Sequence, residues 1–313
     1  MKWLLLNKII ELALSTFRRN ENDVINLYNT FSNLMQILTG GYMLNFGFWD
    51  NNVRNPLDAQ YALSSLIGKF ASLSDANKIM DVGSGYSAPA MHWLSQNNNL
   101  NIYCININLQ QLKSTANYFN FKLIDKKDIN EYESKFYTIN DSNKNKIIYL
   151  NSTSTMLPIK SDSVDRVIAF ESAQHFKPLI QFIKESWRII KQSGLLVIAM
   201  PVIINSNRTF SMPVSVKLGI LSITWASEHY NLDYVKTIIN TSGFTLKEIR
   251  LIGSHVYKPL ATYYMDNRRE LKDRVIKEYS KFFEIIFYRS LLKMKYVSEN
   301  GIIDYLILKA QKP

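Results

Sequence analysis

The chain has few of the residues that bind metal ions, with one cysteine and four histidines among its 313 residues. No set of His, Cys, Asp and Glu shows metal-ligand spacing, and Cys104 lies in an apolar stretch where we expect it to pack as a small hydrophobe. The Gly-x-Ser-x-Gly turn of α/β-hydrolases and the Gly-Lys-Ser/Thr phosphate loop are also missing. The sequence therefore predicts neither a metal centre nor these two kinds of active site.

A membrane-spanning run is missing as well. The apolar residues 1–19 are interrupted by Asn7, Lys8 and Glu11, are too short to cross a bilayer, and lack a signal-peptide cleavage site. Large apolar residues recur there at helical spacing: Trp3, Leu6, Ile10, Leu14 and Phe17. A helix that packs on the domain or closes over a pocket fits this pattern, and so does a helix at a membrane surface. We expect a cytoplasmic protein, with peripheral membrane contact as the alternative.

Acidic residues are outnumbered by basic ones, 26 against 37, and the excess is concentrated between Lys247 and Lys295. We predict one amphipathic helix over residues 274–295, with its charged face in solvent. Such a surface would also suit an anionic membrane or RNA. Because no RNA-recognition or base-stacking motif occurs, we expect no nucleic-acid partner.

Apolar strands alternate with helical segments through the middle of the chain. Strands are predicted at 78–82, 101–108, 146–150, 164–170 and 195–200, with helices at 88–95, from 109 and at 179–190. Residues 125–146 are interpreted as a helix and loop, and residues 191–194 as a turn. This alternation predicts an α/β fold with a doubly wound, mostly parallel sheet. We expect a single domain: N-terminal helices at 1–75, a core at 76–203, and a helical lid, an acceptor region and C-terminal elements at 204–313.

The first predicted strand runs into a glycine turn, Gly83-Ser84-Gly85, that opens a helix. Glycine permits positive φ and lets a ligand approach the backbone closely. Pro89 suits the first turn of that helix, and helix N-termini favour anionic groups. In a doubly wound sheet, ligands bind beyond the carboxyl ends of the strands. The turn and the segments after the second, third and fourth strands all fall at such ends, so we expect the binding site there.

These segments resemble the class I S-adenosylmethionine-dependent methyltransferases. The chain is most similar to the small-molecule branch, which contains sugar O-methyltransferases, tocopherol and sterol C-methyltransferases and mycolic-acid-type lipid methyltransferases. The resemblance covers roughly residues 24 to 255 and rests on the order and spacing of its markers. Those markers are residues 44–50 (Leu-Asn-Phe-Gly-Phe-Trp-Asp), 81–85 (Asp-Val-Gly-Ser-Gly), 157–158 (Leu-Pro), 162–165 (Asp-Ser-Val-Asp), 171–175 (Glu-Ser-Ala-Gln-His) and 191–194 (Lys-Gln-Ser-Gly).

The resemblance implies S-adenosylmethionine as cofactor, bound by a Rossmann-like core. The glycine turn would meet its methionine part, and Met156 would pack on its adenine ring. Tyr28 would either reach the cofactor carboxylate or pack as a helix-face aromatic. The implied cofactor residues are Tyr28, Asp81, Gly83, Ser84, Gly85, Asn106, Ile107, Gln111, Thr153, Ser154, Met156, Phe170 and Glu171.

Three positions depart from the usual pattern of the class. Ser87 stands where relatives often have a third glycine, and serine is small enough that little is lost. Asn106, with Gln111 after it, replaces the acid that usually binds the ribose, as this branch also does, and a side-chain amide can still bond a hydroxyl. Thr153 and Ser154 replace an Asp-Ala pair, so a charge-assisted bond to the adenine amine becomes a weaker neutral one.

His175 is the residue expected to act in the reaction. In the resembling branch a histidine at this position faces the methyl acceptor, and histidine titrates near neutral pH, as a base for an oxygen nucleophile must. His92, His229 and His255 are weaker candidates. Some relatives carry an acid after the fifth strand, where this chain has Ala199-Met200-Pro201, so we expect an apolar acceptor.

The predicted reaction is methyl transfer to an oxygen or carbon of a small, apolar molecule such as a lipid, quinone or natural product. Residues 210–257 and the first fifty residues would cover the site and set its specificity. Two alternatives remain open: an RNA or protein methyltransferase that uses the basic C-terminal region, and an S-adenosylmethionine-binding protein without catalysis.

Overall fold

The structure is a computed structural model that describes residues 20–118, 122–123, 136–140, 146–204, 217–221 and 228–313. The chain divides into two compact units. The first comprises Met1–Ala62, Pro201–Leu232 and Leu251–Tyr305, and the second comprises Leu63–Met200, Asp233–Arg250 and Leu306–Pro313. The predicted helix at 1–19 and much of the predicted cover, residues 205–216 and 222–227, lie outside the described residues.

A nine-stranded sheet is formed by the described residues. Its strands are β1 Lys78–Val82, β2 Asn101–Asn106, β3 Lys122–Leu123, β4 Phe136–Asn140, β5 Lys146–Asn151, β6 Val164–Phe170, β7 Ile190–Ile203, β8 Thr245–Leu251 and β9 Ile303–Gln311. They are ordered β3-β4-β5-β2-β1-β6-β7-β9-β8. The pairs β1/β2, β1/β6, β2/β5 and β6/β7 are parallel. Because helices cover both faces of such a sheet, its central strands are apolar nearly throughout, as the buried residues of β1 and β6 illustrate.

Nine α-helices occur in the described ranges: α1 Glu21–Thr39, α2 Pro56–Phe70, α3 Ala88–Gln96, α4 Leu109–Tyr118, α5 Leu179–Ile189, α6 Leu232–Thr241, α7 Tyr257–Asp266, α8 Arg268–Glu278 and α9 Lys281–Glu299. None of these helices is long and apolar enough to cross a membrane. In the first unit, Asn20 and Asp23 close a reciprocal capping box at the start of α1. Arg274 and Tyr279 donate to backbone carbonyls of the same helix.

The predicted α/β fold with a mostly parallel sheet is confirmed, and three local predictions are wrong. Residues 136–140 are not helix or loop but the strand β4, antiparallel to β5. Their β-branched and aromatic residues favour a strand, which the polar flanks conceal. Residues 191–194 are not a separate turn. They form a bulge inside β7, where Ile190 faces Val164 and the next pair joins Leu195 to Arg166.

The third error concerns the single helix predicted over 274–295. The structure has two helices there, α8 and α9, because the backbone of Tyr279 and Ser280 is extended. Serine is a residue that favours helix N-termini, and Ser280 starts α9.

Candidate active site at the strand ends

The carboxyl ends of β5, β2, β1 and β6 lie side by side at one edge of the sheet in the second unit. Each strand is followed by a segment that the sequence singled out: residues 83–87 after β1, 106–111 after β2, 151–157 after β5 and 171–175 after β6. The structure therefore brings twelve of the thirteen predicted cofactor residues, together with His175, to one sheet edge. Tyr28 lies on α1 in the first unit, half buried.

The glycine turn is held against β2. Gly83 N and Ser84 N both donate to the carbonyl of Ile105, at 2.7 and 3.0 Å. Gly83 has φ +80°, and a Cβ added there would lie 2.3 Å from the Cβ of Ser172. Because both the backbone conformation and the contact exclude a side chain, this position requires glycine, and β1 and β6 approach closely at their ends.

Ser87 stands where related sequences often have a third glycine. Its backbone adopts a conformation that is strained for a residue with a Cβ. Its φ is +55°, in the left-handed region, and its side chain is fully buried. The hydroxyl donates to Ser84 Oγ at 3.1 Å. This conformation costs a non-glycine residue about 1 to 2 kcal/mol. Ser87 also precedes α3 directly, so the strained residue sets where the helix begins.

Asp81 is a buried carboxyl without compensation. The residue is 2% exposed, and its Oδ2 has no hydrogen-bond partner within the described residues. Burial raises the pKa of Asp81 to about 7. Its register partner on β2 is Cys104, which in turn faces Tyr149 on β5. Since these neighbours are themselves weak acids, they supply no positive charge to stabilise an ionised Asp81.

Asn106 is committed to protein groups at all its polar atoms. Its Nδ2 donates to Gly85 O at 3.0 Å and to Gln111 Oε1 at 2.9 Å. Its Oδ1 accepts from Asn108 N at 3.1 Å. The side chain thus links the glycine turn to the start of α4. In this arrangement Asn106 positions the turn and Gln111, and both hydrogens of its Nδ2 are used within the protein.

The segment after β5 combines hydroxyls with one exposed apolar side chain. Thr153 and Ser154 are half buried, and Thr153 Oγ1 lies 3.2 Å from Thr155 Oγ1. Met156 is 70% exposed. Ile107 lies beside this segment, because Asn151 Nδ2 donates to its carbonyl at 2.9 Å.

His175 ends a short 3₁₀ helix, Ala173–His175, directly after β6. Its backbone N donates to Ser172 O at 2.9 Å, and the Ser172 hydroxyl donates to the carbonyl of Val82 at the end of β1. Glu171, with φ +51°, is tied to β7 through its N–H and Ala199 O at 2.7 Å. These bonds fix the backbone that carries the half-buried His175.

The other histidines differ in setting. His92 Nε2 lies 2.7 Å from Ser65 Oγ, and burial lowers the pKa of His92. In the first unit, His255 Nδ1 lies 3.1 Å from Trp49 O, and its ring stacks on Phe48. His229 also belongs to the first unit and has φ +50°. Neither His92 nor His229 nor His255 follows a strand of the sheet edge described above.

The marker at 44–50 lies in the first unit and is fixed by amide groups. Asn45 Nδ2 donates to Gln60 O at 3.3 Å, and Gln60 Nε2 donates to Asn45 O at 2.7 Å. Gly47 has φ +105°, and a Cβ there would lie 2.6 Å from Ala59 Cβ. The glycine of this marker is therefore required by its backbone and by the close helix α2.

Two residues of the sheet edge were not predicted from the sequence. Gln174, next to His175, is 7% exposed; its Nε2 donates to Glu171 O at 2.7 Å, while its Oε1 has no partner in the described chain. Asn108 caps α4 by accepting from Gln110 N and Gln111 N. An asparagine just before a helical segment is a capping signal that could have identified Asn108. No sequence signal marks Gln174 beyond its place beside His175.

Comparisons with known proteins agree with this arrangement. A family model described as a methyltransferase domain matches residues 80–198. The chain is 22% identical over 301 residues to the erythromycin 3''-O-methyltransferase of Saccharopolyspora erythraea, covering 91% of this chain and 89% of that protein. Among solved structures, mycolic acid cyclopropane synthase CmaA1 in complex with SAH and CTAB has a TM-score of 0.74 at 14% identity, covering 91% of this chain and 95% of that one. The [4+2]-cyclase SpnF has a TM-score of 0.67 at 17% identity, covering 93% and 95%.

The chemistry of the sheet edge suits a ligand with a cation, a carboxylate and a flat ring. The uncompensated carboxyl of Asp81 would be stabilised by a cationic group. The glycine turn leads into the N-terminus of α3, which favours an anion. Met156 offers an exposed apolar surface on which a ring can lie.

Proposed function

Because the chain belongs to the class I S-adenosylmethionine-dependent methyltransferases, we propose that it methylates a hydroxyl oxygen of a small, largely apolar molecule, with His175 as general base. The observation that carries the proposal is the fixed position of His175 at the same sheet edge as the glycine turn. S-Adenosylmethionine, the cofactor of this class, supplies a methyl group on a positively charged sulfur. The protein has to hold the acceptor in line with that group and remove its proton.

In this proposal, different residues at the strand ends bind different parts of the cofactor. Asp81 pairs with the ammonium of the methionine part, and the backbone of Gly83, Ser84 and Gly85 meets its carboxylate. Gln111 bonds the ribose, while Asn106 positions Gln111 and the turn. The remaining predicted contacts, to the adenine and the sulfur side, come from Ile107, Thr153, Ser154, Met156, Phe170 and Glu171. Tyr28 belongs to the first unit, and its contact to the cofactor carboxylate stays a prediction from the sequence.

His175 is suited to take a proton because imidazole titrates near neutral pH. Its backbone is held by Ser172, and Ser172 in turn packs against Gly83 of the turn. The backbone that carries His175 is thus tied to the turn that would hold the cofactor. General-base catalysis of this kind contributes about 10²- to 10⁴-fold to the rate.

A small-molecule acceptor is supported in two ways. The curated relative is named for methyl transfer to an oxygen of erythromycin. Three basic side chains of the C-terminal region are paired with acids: Arg268 with Glu284, Arg274 with Glu270, and Lys258 with Glu299. Such pairing reduces the positive potential that RNA binding would need. The apolar residues Ala199 and Met200 lie inside β7, which runs on to Ile203; both are fully buried and offer no second polar group to an acceptor.

The experiment supplies methyl-tritiated S-adenosylmethionine to the purified protein with a panel of acceptors. The panel contains macrolide glycosides, isoprenoid alcohols, phenols, quinols and total RNA, and the labelled products are characterised for O- or C-methylation. With the best acceptor, we expect His175→Asn to lower kcat at least about 100-fold while cofactor affinity stays within about twofold. His92→Asn, on α3 away from the sheet edge, is the matched control and should keep full turnover.

Three outcomes would contradict the proposal. Unchanged turnover in His175→Asn would remove His175 as the base. Label found only in RNA would replace the small-molecule acceptor by nucleic acid. Tight cofactor binding without transfer to any member of the panel would favour the non-catalytic alternative.

A further inference from the structure

The segment after β5 is anchored to the last turn of α5 by two charged side chains, Glu185 and Arg188. Leu157 N donates to Glu185 Oε2 at 2.9 Å. Arg188 Nη2 donates to Leu157 O at 2.9 Å, and its Nη1 donates to Ile159 O at 2.8 Å. The backbone of Leu157 is therefore gripped at both its N–H and its carbonyl.

The two anchoring side chains also bind each other. Arg188 Nε lies 2.9 Å from Glu185 Oε1, and Arg188 Nη2 lies 2.8 Å from Glu185 Oε2. Burial alone would raise the pKa of Glu185, but the bonds from Arg188 and Leu157 N and the charge of Arg188 together lower it. The Glu185 carboxylate stays ionised at neutral pH. The planar guanidinium of Arg188 therefore keeps two parallel hydrogen bonds to it, which a lysine could not provide.

The anchored segment includes Met156, whose side chain is not packed in the core. Leu157 is buried, whereas its neighbour Met156 is 70% exposed. Within the segment, Ser152 Oγ donates to Met156 O at 2.9 Å. Since Met156 is not packed in the core, its place at the sheet edge depends on these bonds and on the anchor beside it.

We propose that Glu185 and Arg188 are positioning residues for the adenosine part of S-adenosylmethionine, because they hold residues 152–159 in the geometry that meets the ligand. The proposal rests on the cofactor site proposed above and extends it to two side chains that themselves make no contact with the ligand. Loss of the anchor leaves the segment with more conformations, and binding must then order it at a cost in affinity.

The pair could instead contribute to folding stability alone, and the ligand chosen for the test separates the two roles. S-Adenosylhomocysteine and 5′-methylthioadenosine share the adenosine part, but only the first has the amino-acid part that Asp81 and the glycine turn would bind. A loosened adenosine segment weakens both ligands by the same factor. A protein that is merely less stable, but still folded, binds both as before.

Isothermal titration with both ligands, well below the unfolding temperature, tests the proposal. Glu185→Ala is expected to raise both dissociation constants about tenfold, the equivalent of losing one or two of the hydrogen bonds that order the segment. Glu185→Gln keeps an oxygen that can accept from Leu157 N, so this variant should lose less affinity for both ligands than Glu185→Ala. With a saturating cofactor, kcat should stay unchanged while KM for S-adenosylmethionine rises.

Glu248→Ala is the matched control. Glu248 also accepts from two basic side chains, Arg250 at 2.7 Å and Lys309 at 3.0 Å, but it lies on the edge strand β8. This variant should keep both affinities within about twofold while it reports, by urea unfolding, what the loss of a comparable pair does to stability. Unchanged affinities in Glu185→Ala and Glu185→Gln would overturn the positioning role while cofactor binding stands. Absence of binding by the unmodified protein would overturn the cofactor site, and this proposal with it.

Discussion

Replacement of Asp81 by asparagine is expected to stabilise the empty protein and to weaken cofactor binding. Burial raises the pKa of Asp81 from its ordinary value of 3.8 to about 7 in the folded chain, because it disfavours the charged carboxylate. Between these two pH values the folded chain binds more protons than the unfolded chain, so stability falls as pH rises. The stability that a protonated Asp81 allows is fully present below pH 3.8 and is lost as pH rises through about 7.

The size of this effect follows from the shift. One pH unit corresponds to about 1.4 kcal/mol, so an ionised Asp81 lowers the free energy of unfolding by on the order of 4 kcal/mol at pH 8. Asparagine has nearly the same shape and carries no charge, so Asp81→Asn should be more stable than the unmodified protein at pH 8. The difference should shrink as pH falls from 7 to 5, by up to about 1.4 kcal/mol per pH unit. Urea unfolding across this range measures it.

Binding of S-adenosylmethionine should release the proton that Asp81 holds in the empty protein. If the cofactor ammonium pairs with an ionised Asp81, about half a proton is released per site at pH 7 and about nine-tenths at pH 6. Affinity should rise up to about tenfold per pH unit from pH 5.5 to 7, a range in which an α-amino group stays mostly charged. Titration calorimetry in buffers with different ionisation enthalpies counts the protons.

Asp81→Asn is the control for that count, because the ionisation of the ligand itself is common to both proteins. The variant should bind more weakly at pH 7 and release no proton. Equal proton release by both proteins, or an affinity of the unmodified protein that does not change between pH 5.5 and 7, would refute the pairing of Asp81 with the ammonium.

Two further substitutions test the geometry of the turn. Gly83→Ala should lower the free energy of unfolding by at least about 2 kcal/mol, since it adds a contact at 2.3 Å to backbone strain. Gly40→Ala is the control, because Gly40 has nearly the same φ but open space around it, so that this variant introduces the backbone strain alone. Asn106→Ala should lower it by about 2 to 3 kcal/mol through three lost hydrogen bonds and also weaken cofactor binding. Urea unfolding and cofactor titration measure both effects. Weaker binding by Asn106→Ala at unchanged stability would show a ligand contact in place of a positioning role.

The parallel core of the sheet could be predicted because its signals are local and strong. Strand β1, the glycine turn and Pro89 follow one another within a dozen residues, and each restricts the backbone by itself. The order of apolar strands and helices then places the strand ends at one edge, which is why His175 and Thr153 could be assigned to a common site.

Two of the three failed predictions share a physical cause, which is that long-range strand pairing decided the local structure. Strand β4 exists because β5 offers it a partner, and Ser193 and Gly194 of β7 are held by backbone hydrogen bonds with Lys312, just beyond the end of β9. Neither pairing can be read from the residues of one segment alone, since strand preference depends strongly on the neighbours of a strand. The break between α8 and α9 rests on two extended residues, of which only Ser280 carries a sequence signal.

Asn106 shows how far a residue's place in a motif can be separated from its role. Its position matches the acid that binds ribose in most members of the class, yet in this chain its amide groups hold the glycine turn and Gln111. Thr153 likewise offers a neutral hydroxyl where others have a carboxylate. In the proposed site, Asp81 supplies a charged contact at the methionine end, whereas Thr153, Ser154 and Met156 at the adenosine end are neutral and depend on an ordered backbone. Under the proposal above, the anchor of Glu185 and Arg188 orders the backbone that binds the adenosine part. We therefore expect adenosine binding to respond to substitutions of residues that do not contact the ligand.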